Sequence, residues 1–215
     1  MSIEKLEQYI TTADLDKLEA LLVQSPALAG TITSHQVSPL MLSCYYKKPA
    51  VTDVLLRYVN EISLFEAAAA GKLAVVTHLI ETNPNTIDDY AGDGFTPLGL
   101  ACYFGHEAVA RYLINSGADV NRASNNGFQV YPIHSACADN NTAIARMLID
   151  KGAQVNVKQQ AGATPLHSAA QNGNIDLLVL LLEHGAQTNV RMEGGKLPAD
   201  LASEKGFDAI AEILG

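Results

Sequence analysis

Apolar residues recur along this chain in short stripes spaced i, i+1, i+4, i+5. Val75, Val76, Leu79 and Ile80 form one. Val109, Ala110, Leu113 and Ile114 form the next, followed by Ile144, Ala145, Leu148 and Ile149, then Leu177, Leu178, Leu181 and Leu182. That spacing puts four side chains on one face of a helix. The later stripes each follow a shorter apolar segment opened by proline, most clearly Pro97 with Leu98, Leu100, Ala101 and Cys102. Proline suits the first turn of a helix, where a missing N–H is no loss. Small pairs close these segments (Ser43-Cys44, Ala67-Ala68, Ala101-Cys102, Ala136-Cys137, Ala169-Ala170, Ala202-Ser203), which lets neighbouring helices approach closely. A breaking glycine comes next at Gly71, Gly105, Gly173 and Gly206. Asn140 replaces it once and tolerates positive φ, whereas Lys47 suits the position poorly and predicts a remodelled turn. Gly117, Gly152 and Gly185 end the second helices as left-handed caps. Polar stretches such as Ser124-Asn125-Asn126-Gly127 read as turns or hairpins that project outward.

The whole pattern repeats. From Pro97 to Pro132 is 35 residues, from Pro132 to Pro165 is 33, and from Pro165 to Pro198 is 33. A period near 33 signals stacked small units rather than one globular core. Extending the register through Lys5, Pro39 and Ser63 gives seven units, approximately 1–34, 35–60, 61–92, 93–125, 126–160, 161–193 and 194–215, with no linker and no second domain. A helix pair this small cannot bury its own apolar face, so stability must come from nearest-neighbour stacking and the end units should be atypical. The step from Pro39 to Ser63 is only 24, so the projecting loop between units two and three should be missing. Two extra residues between Gly127 and Pro132 predict a longer or bulged loop there.

The motifs that recur are Gly94-Phe95-Thr96-Pro97-Leu98 with Gly117-Ala118-Asp119-Val120-Asn121, and Gly162-Ala163-Thr164-Pro165-Leu166-His167 with Gly185-Ala186-Gln187-Thr188-Asn189. This unit resembles the ankyrin repeat. The match is close at 94–121 and 162–189, recognisable at 132–156 and 195–214, and carried mainly by helix pattern before that. The resemblance implies an all-α solenoid of stacked helix-turn-helix repeats with projecting hairpin loops. It also implies a non-catalytic role in binding other proteins through a concave face. The family's first-helix histidine is present at His134 and His167 and replaced by Met41, Phe65, Gly99 and Asp200 elsewhere.

Composition narrows the partners. Fourteen basic and 23 acidic residues give a formal charge of −9, which disfavours nucleic acid, whose binding is dominated by cationic contacts to phosphate. No run of 18 apolar residues exists, so no membrane partner is expected, and no signal peptide is legible at the N-terminus. Cys44, Cys102 and Cys137 occupy one repeat position, so adjacent units hold them at roughly 8–10 Å, too far to bridge. Free thiols fit a reducing, cytoplasmic location.

Chemistry-bearing sets are sparse. Cys102 and His106 are spaced i, i+4, but Gly105 should end the helix between them, and a metal needs more ligands. His134 and His167 with Ser135 or Ser168 compose a triad on paper only, without a nucleophile elbow. No phosphate loop or dinucleotide fingerprint occurs. Neither catalysis nor a cofactor is expected, and the histidines should hydrogen-bond between turns.

The informative positions are those just before the breaking glycine, which the resemblance places on the concave face. They read Tyr45-Tyr46, Ala69-Ala70, Tyr103-Phe104, Ala138-Asp139, Gln171-Asn172 and Glu204-Lys205. Four of the chain's 13 aromatics (8 Tyr and 5 Phe) sit here, flanking an alanine pair, which composes a groove with aromatic walls and an alanine floor. Exposed aromatics anchor binding hot spots, although some of these could instead fold back into the stack. Asp89, Tyr90, Asp93 and Phe95 add an acidic-aromatic loop, and Phe128 lies on the next one. The expected partner-binding set is therefore Tyr45, Tyr46, Asp89, Tyr90, Asp93, Phe95, Tyr103, Phe104, Phe128 and Asp139. The acidic members favour a basic or Arg-rich peptide. The alternative is a homo-oligomeric scaffold that pairs the same aromatic face.

Overall fold

The computed structural model describes residues 2–215 as fourteen α-helices, with no strand among them. They follow as α1 (Ile3–Thr12) and α2 (Leu15–Gln24), α3 (Pro39–Tyr45) and α4 (Pro49–Leu55), α5 (Leu64–Ala69) and α6 (Leu73–Thr82), α7 (Pro97–Tyr103) and α8 (Glu107–Asn115), α9 (Pro132–Ala138) and α10 (Thr142–Asp150), α11 (Pro165–Asn172) and α12 (Ile175–Glu183), α13 (Pro198–Glu204) and α14 (Asp208–Leu214). Odd-numbered helices pack on one another along the whole row, and even-numbered ones pack from α6 to α12, with α2 on α4. The result is a helical solenoid.

Local chemistry sets the helix starts. Proline opens α3, α7, α9, α11 and α13. The residue before it often caps the helix: Thr96 Oγ1 accepts from the Gly99 N–H at 3.0 Å, and Ser38 Oγ from the Met41 N–H. Unit three lacks the proline, and Ser63 forms a reciprocal capping box with Glu66 instead. The small pairs at the ends of the first helices from α3 to α11 are almost wholly buried, as close packing between units requires, and in the last unit Ala202 is buried while Ser203 is exposed.

The turns depart from expectation at one place. Lys47 adopts φ +52° and Asn140 φ +61°, so the lysine takes the same left-handed turn as the glycines and the turn is not remodelled. Left-handed backbone costs a residue with a Cβ about 1–2 kcal/mol. Stacking of α3 and α4 within the row outweighs that strain.

Five projecting loops close with a backbone bond across their base. Four join Thr33 to Val37, Ala91 to Phe95, Gln159 to Ala163 and Met192 to Lys196. The fifth runs from Ser124 to Val130, longer by two residues, with Gln129 at φ +53° absorbing the insertion. Between α4 and α5 only residues 56–63 intervene and no such loop forms. Neighbouring loops are tied by Asn125 N–H to Gly94 O, Gln160 N–H to Phe128 O, and Glu193 N–H to Ala161 O. The asparagines that end the repeat motif add a second tie: Asn121 donates to Gly152 O and accepts from the Gln154 N–H. Asn156 does the same with Gly185 and Gln187.

The apolar core divides in two. One cluster gathers Leu6, Ile10, Leu18, Leu22, Leu40, Leu42, Val51 and Leu55. The other runs from Met41 and Cys44 through Leu64 and Leu113 to Leu214. Helix α3 contributes to both, with Val37 and Ile62 packed against each.

Candidate functional site

The aromatic residues of units two and four meet across unit three. Tyr45 lies 6.0 Å from Tyr103 and 5.4 Å from Phe104, centroid to centroid. Tyr103 and Phe104 stand edge to face at 5.0 Å, and Phe95 comes within 6.2 Å of Tyr103. The expectation of aromatic walls around an open alanine floor is corrected here. Ala69 and Ala70 are too small to hold the rings apart, so Tyr45, Tyr103 and Phe104 meet one another across unit three and bury ring surface that would otherwise be wet. Tyr45, Phe95 and Phe104 consequently pack against the core. Tyr103 stays 38% exposed on top of them, and Tyr46, beside His35, stays 41% exposed.

The loop residues divide the same way. The Tyr45 hydroxyl donates to Asp93 Oδ2 at 2.6 Å, and burial together with that carboxylate pushes the phenol well above its usual range, holding it protonated as a donor. Asp93 also accepts from the Phe95 N–H. Tyr90 donates to Ala123 O at 3.1 Å and lies beneath the Arg122 guanidinium at 4.7 Å. Asp93 and Tyr90 thus brace loops against neighbours. Asp89 is exposed, and Phe128, thrown outward by the longer loop, is 61% exposed. Asp139 sits 3.7 Å from Lys47 and over Gly105. Burial raises its carboxyl against the opposing pull of Lys47.

On the edge where each first helix turns into its second, the residue after the turn covers the turn of the preceding unit. His106 covers Gly71 so closely that a methyl added there would lie 2.6 Å from Nδ1, and its Nε2 reaches Ala69 O at 2.8 Å. Asn174 bonds Asn140 Oδ1 and Thr142 Oγ1, and Phe207 covers Gly173. Asn172, two residues earlier, donates to Cys137 O. Between units two and three the equivalent residues are Lys72 and Ala70. Lys72 would face Lys47, a like charge, and turns instead to Asp53 at 3.2 Å. Ala70 has no group to reach Cys44 O. A cavity of about 360 Å³ remains. Cys44, Ala69, Ala70 and Phe104 give it an apolar floor, and Lys47, Lys48 and Lys72 rim it. Lys48 and Ala70 were not legible as site residues, although an alanine and two lysines at turn positions that other units fill with cappers were the available signal.

The remaining chemistry is structural. His134 Nδ1 accepts from the Tyr131 N–H, so its Nε2–H donates to Ala163 O of the next unit at 3.1 Å. His167 repeats this with Thr164 and Lys196 O. Burial pulls His134 down to about 4 and lowers His167. With both ring nitrogens engaged, neither imidazole faces a serine, and Ser135 Oγ bonds nothing. The three cysteines are free and buried. Among the described residues no group of three His, Cys, Asp or Glu is placed to hold a metal, and no helix is long and apolar enough to cross a membrane.

A family model for ankyrin repeats (3 copies) matches residues 64–159 and 133–215. Alpha-latrocrustotoxin-Lt1a of Latrodectus tredecimguttatus is 34% identical over 119 residues, 52% of this chain and 8% of that protein. Ankyrin repeat and SAM domain-containing protein 6 of Rattus norvegicus is 34% identical over 70 residues, 33% of this chain and 8% of its own length. Protein phosphatase 1 regulatory subunit 27 of Mus musculus is 38% identical over 65 residues, 30% of this chain and 42% of its own. The chain spans less than half the length of each of these relatives.

Proposed function

The chain belongs to the ankyrin-repeat family, and from that premise we propose that it is a non-catalytic protein-interaction module, an adaptor or inhibitor, whose partner docks on the concave face and loops. One observation carries the site: Tyr103 is exposed while Tyr45, Phe95 and Phe104 fix its ring from beneath. A large aromatic held in one orientation loses little rotamer freedom when a partner covers it. Tyr46 and Phe128 extend the surface along the concave face and onto the neighbouring loop. Asp89 offers the loop end a charge for a basic residue, while Asp93 and Tyr90 position the loops. A regulatory subunit among the relatives agrees with a role exerted by binding.

Affinity capture from the native source, with wild type beside Tyr46→Ser/Tyr103→Ser, tests this. A protein retained by wild type and lost by the variant, at unchanged thermal stability, identifies the partner and the surface. Equal retention by both overturns the concave-face site. Retention of the protein's own chain alone makes the homo-oligomeric scaffold the correct reading.

A further inference from the structure

The cavity between units two and three is a built irregularity. Every other turn junction described above is filled by a side chain from the following unit, and this one is left open by Ala70, which is too short to reach across, and by Lys72, which pairs with Asp53 instead. Its charge runs against the protein as a whole: three lysines and a single carboxylate, Asp53, line it in a chain of formal charge −9. Two of them are already matched, Lys47 by Asp139 and Lys72 by Asp53. Lys48 is half-buried and has no ion pair among the described residues. His106 spends its Nε2 on Ala69 O.

We propose that this cavity receives an acidic-apolar segment of the protein partner. An apolar side chain would lie on the Cys44, Ala69, Ala70 and Phe104 floor, and the carboxylate of an adjoining Asp or Glu would pair with Lys48. The inference rests on the interaction-module reading and adds the partner's chemistry to it. One unmatched ammonium fits one negative charge, and no guanidinium is present for the bidentate grip that favours phosphate. Partial burial of Lys48 beside apolar atoms strengthens a pairing that would be weak on open surface. Phe104 supports Tyr103 and also lines the cavity, so one extended segment can cover the exposed tyrosine and reach the lysine. The edge next to the aromatic cluster therefore selects an acidic partner residue, the opposite sign to that expected from the acidic loop alone.

Two peptides serve as probes, acetyl-Glu-Leu-Glu-amide and acetyl-Gln-Leu-Gln-amide, titrated into the isotopically labelled full chain and followed by amide NMR shifts. The acidic peptide should move the Lys48, Thr52 and Ala70 amides saturably, with at least about tenfold higher affinity than the neutral one and weakening as salt rises. Lys48→Gln should remove that preference. Ala70→Asn, which supplies the group that unit six carries at Asn172, should obstruct the floor beside Cys44 and weaken probe binding while the rest of the spectrum is kept. Equal response to both peptides, shifts confined to another face, no shifts at all, or binding undiminished in Ala70→Asn overturns the proposal. Partner capture that depends on Tyr103 with no probe binding refutes the cavity alone, and probe binding with Tyr103-independent capture refutes the concave-face site alone.

Discussion

Protonation of His134 should destabilise the solenoid in a defined pH window. The ring is buried, accepts from one backbone N–H and donates to one carbonyl, an arrangement only the neutral imidazole can satisfy. Burial lowers its pKa from 6.5 to about 4. The unfolded chain therefore binds the proton more tightly than the folded one between those values. Its contribution is complete above pH 6.5 and is lost as pH falls toward 4. A shift of about 2.5 units at about 1.36 kcal/mol per unit amounts to about 3 kcal/mol, a sizeable share of a marginal stability. His167 acts in the same direction. Urea unfolding between pH 4 and 7.5 measures this, with His134→Met as reference because unit two carries Met41 at that position. Carboxylates titrate in both proteins and cancel in the difference. The variant should be less stable at pH 7 and lose less stability on acidification, so the two curves converge near pH 4. Parallel curves, or a His134 ring proton titrating near 6.5 by NMR in the folded protein, would refute the reasoning.

Three other outcomes follow from the geometry. Tyr45→Phe removes the 2.6 Å bond to Asp93 and should lower stability by about 1–2 kcal/mol, read from the urea midpoint, because a half-buried carboxylate loses its donor. Lys47→Gly should stabilise by about 1 kcal/mol, since the turn at φ +52° suits glycine, while Gly71→Ala at φ +68° should destabilise by more than that because the new methyl also meets His106; thermal unfolding of both variants settles the signs. A thiol-specific disulfide reagent should find no fast-reacting cysteine in the native protein: burial pushes Cys102 and Cys137 far up and Cys44 to about 11, so Cys44, at the cavity, should react first and slowly, and rapid modification of Cys102 would contradict the packing.

The parts of the fold written in local pattern were legible. Proline starts, small pairs and breaking glycines each reflect a constraint within one unit, so Pro97, Ala101-Cys102 and Gly105 could be placed without knowledge of the neighbours. The loop insertion near Gln129 and the missing loop after α4 came from counting alone. What escaped the sequence was non-local. Tyr45 and Tyr103 are 58 positions apart, and their meeting depends on the room left by Ala69 and Ala70, which spacing cannot reveal. Lys47 was misjudged because local propensity was weighed without the packing that holds its turn. The cavity was hidden for a related reason: it comes from what Ala70 and Lys72 fail to fill in the unit before them.

The split core has a consequence for how the molecule comes apart. In a row of units coupled only to neighbours, the chain opens first where the coupling is weakest. Here that point lies between α4 and α5, where the apolar clusters change over and the bridging loop is absent. Residues up to about 60 form a block that can detach while the remainder stays folded, and amide exchange there should report a lower opening free energy than in α7 to α12. The lysine-rimmed cavity straddles this joint, with Cys44 and Thr52 on one bank and Ala69, Ala70 and Phe104 on the other. Anything lodged in it acts as a rivet, and by mass action would make the two blocks exchange as one.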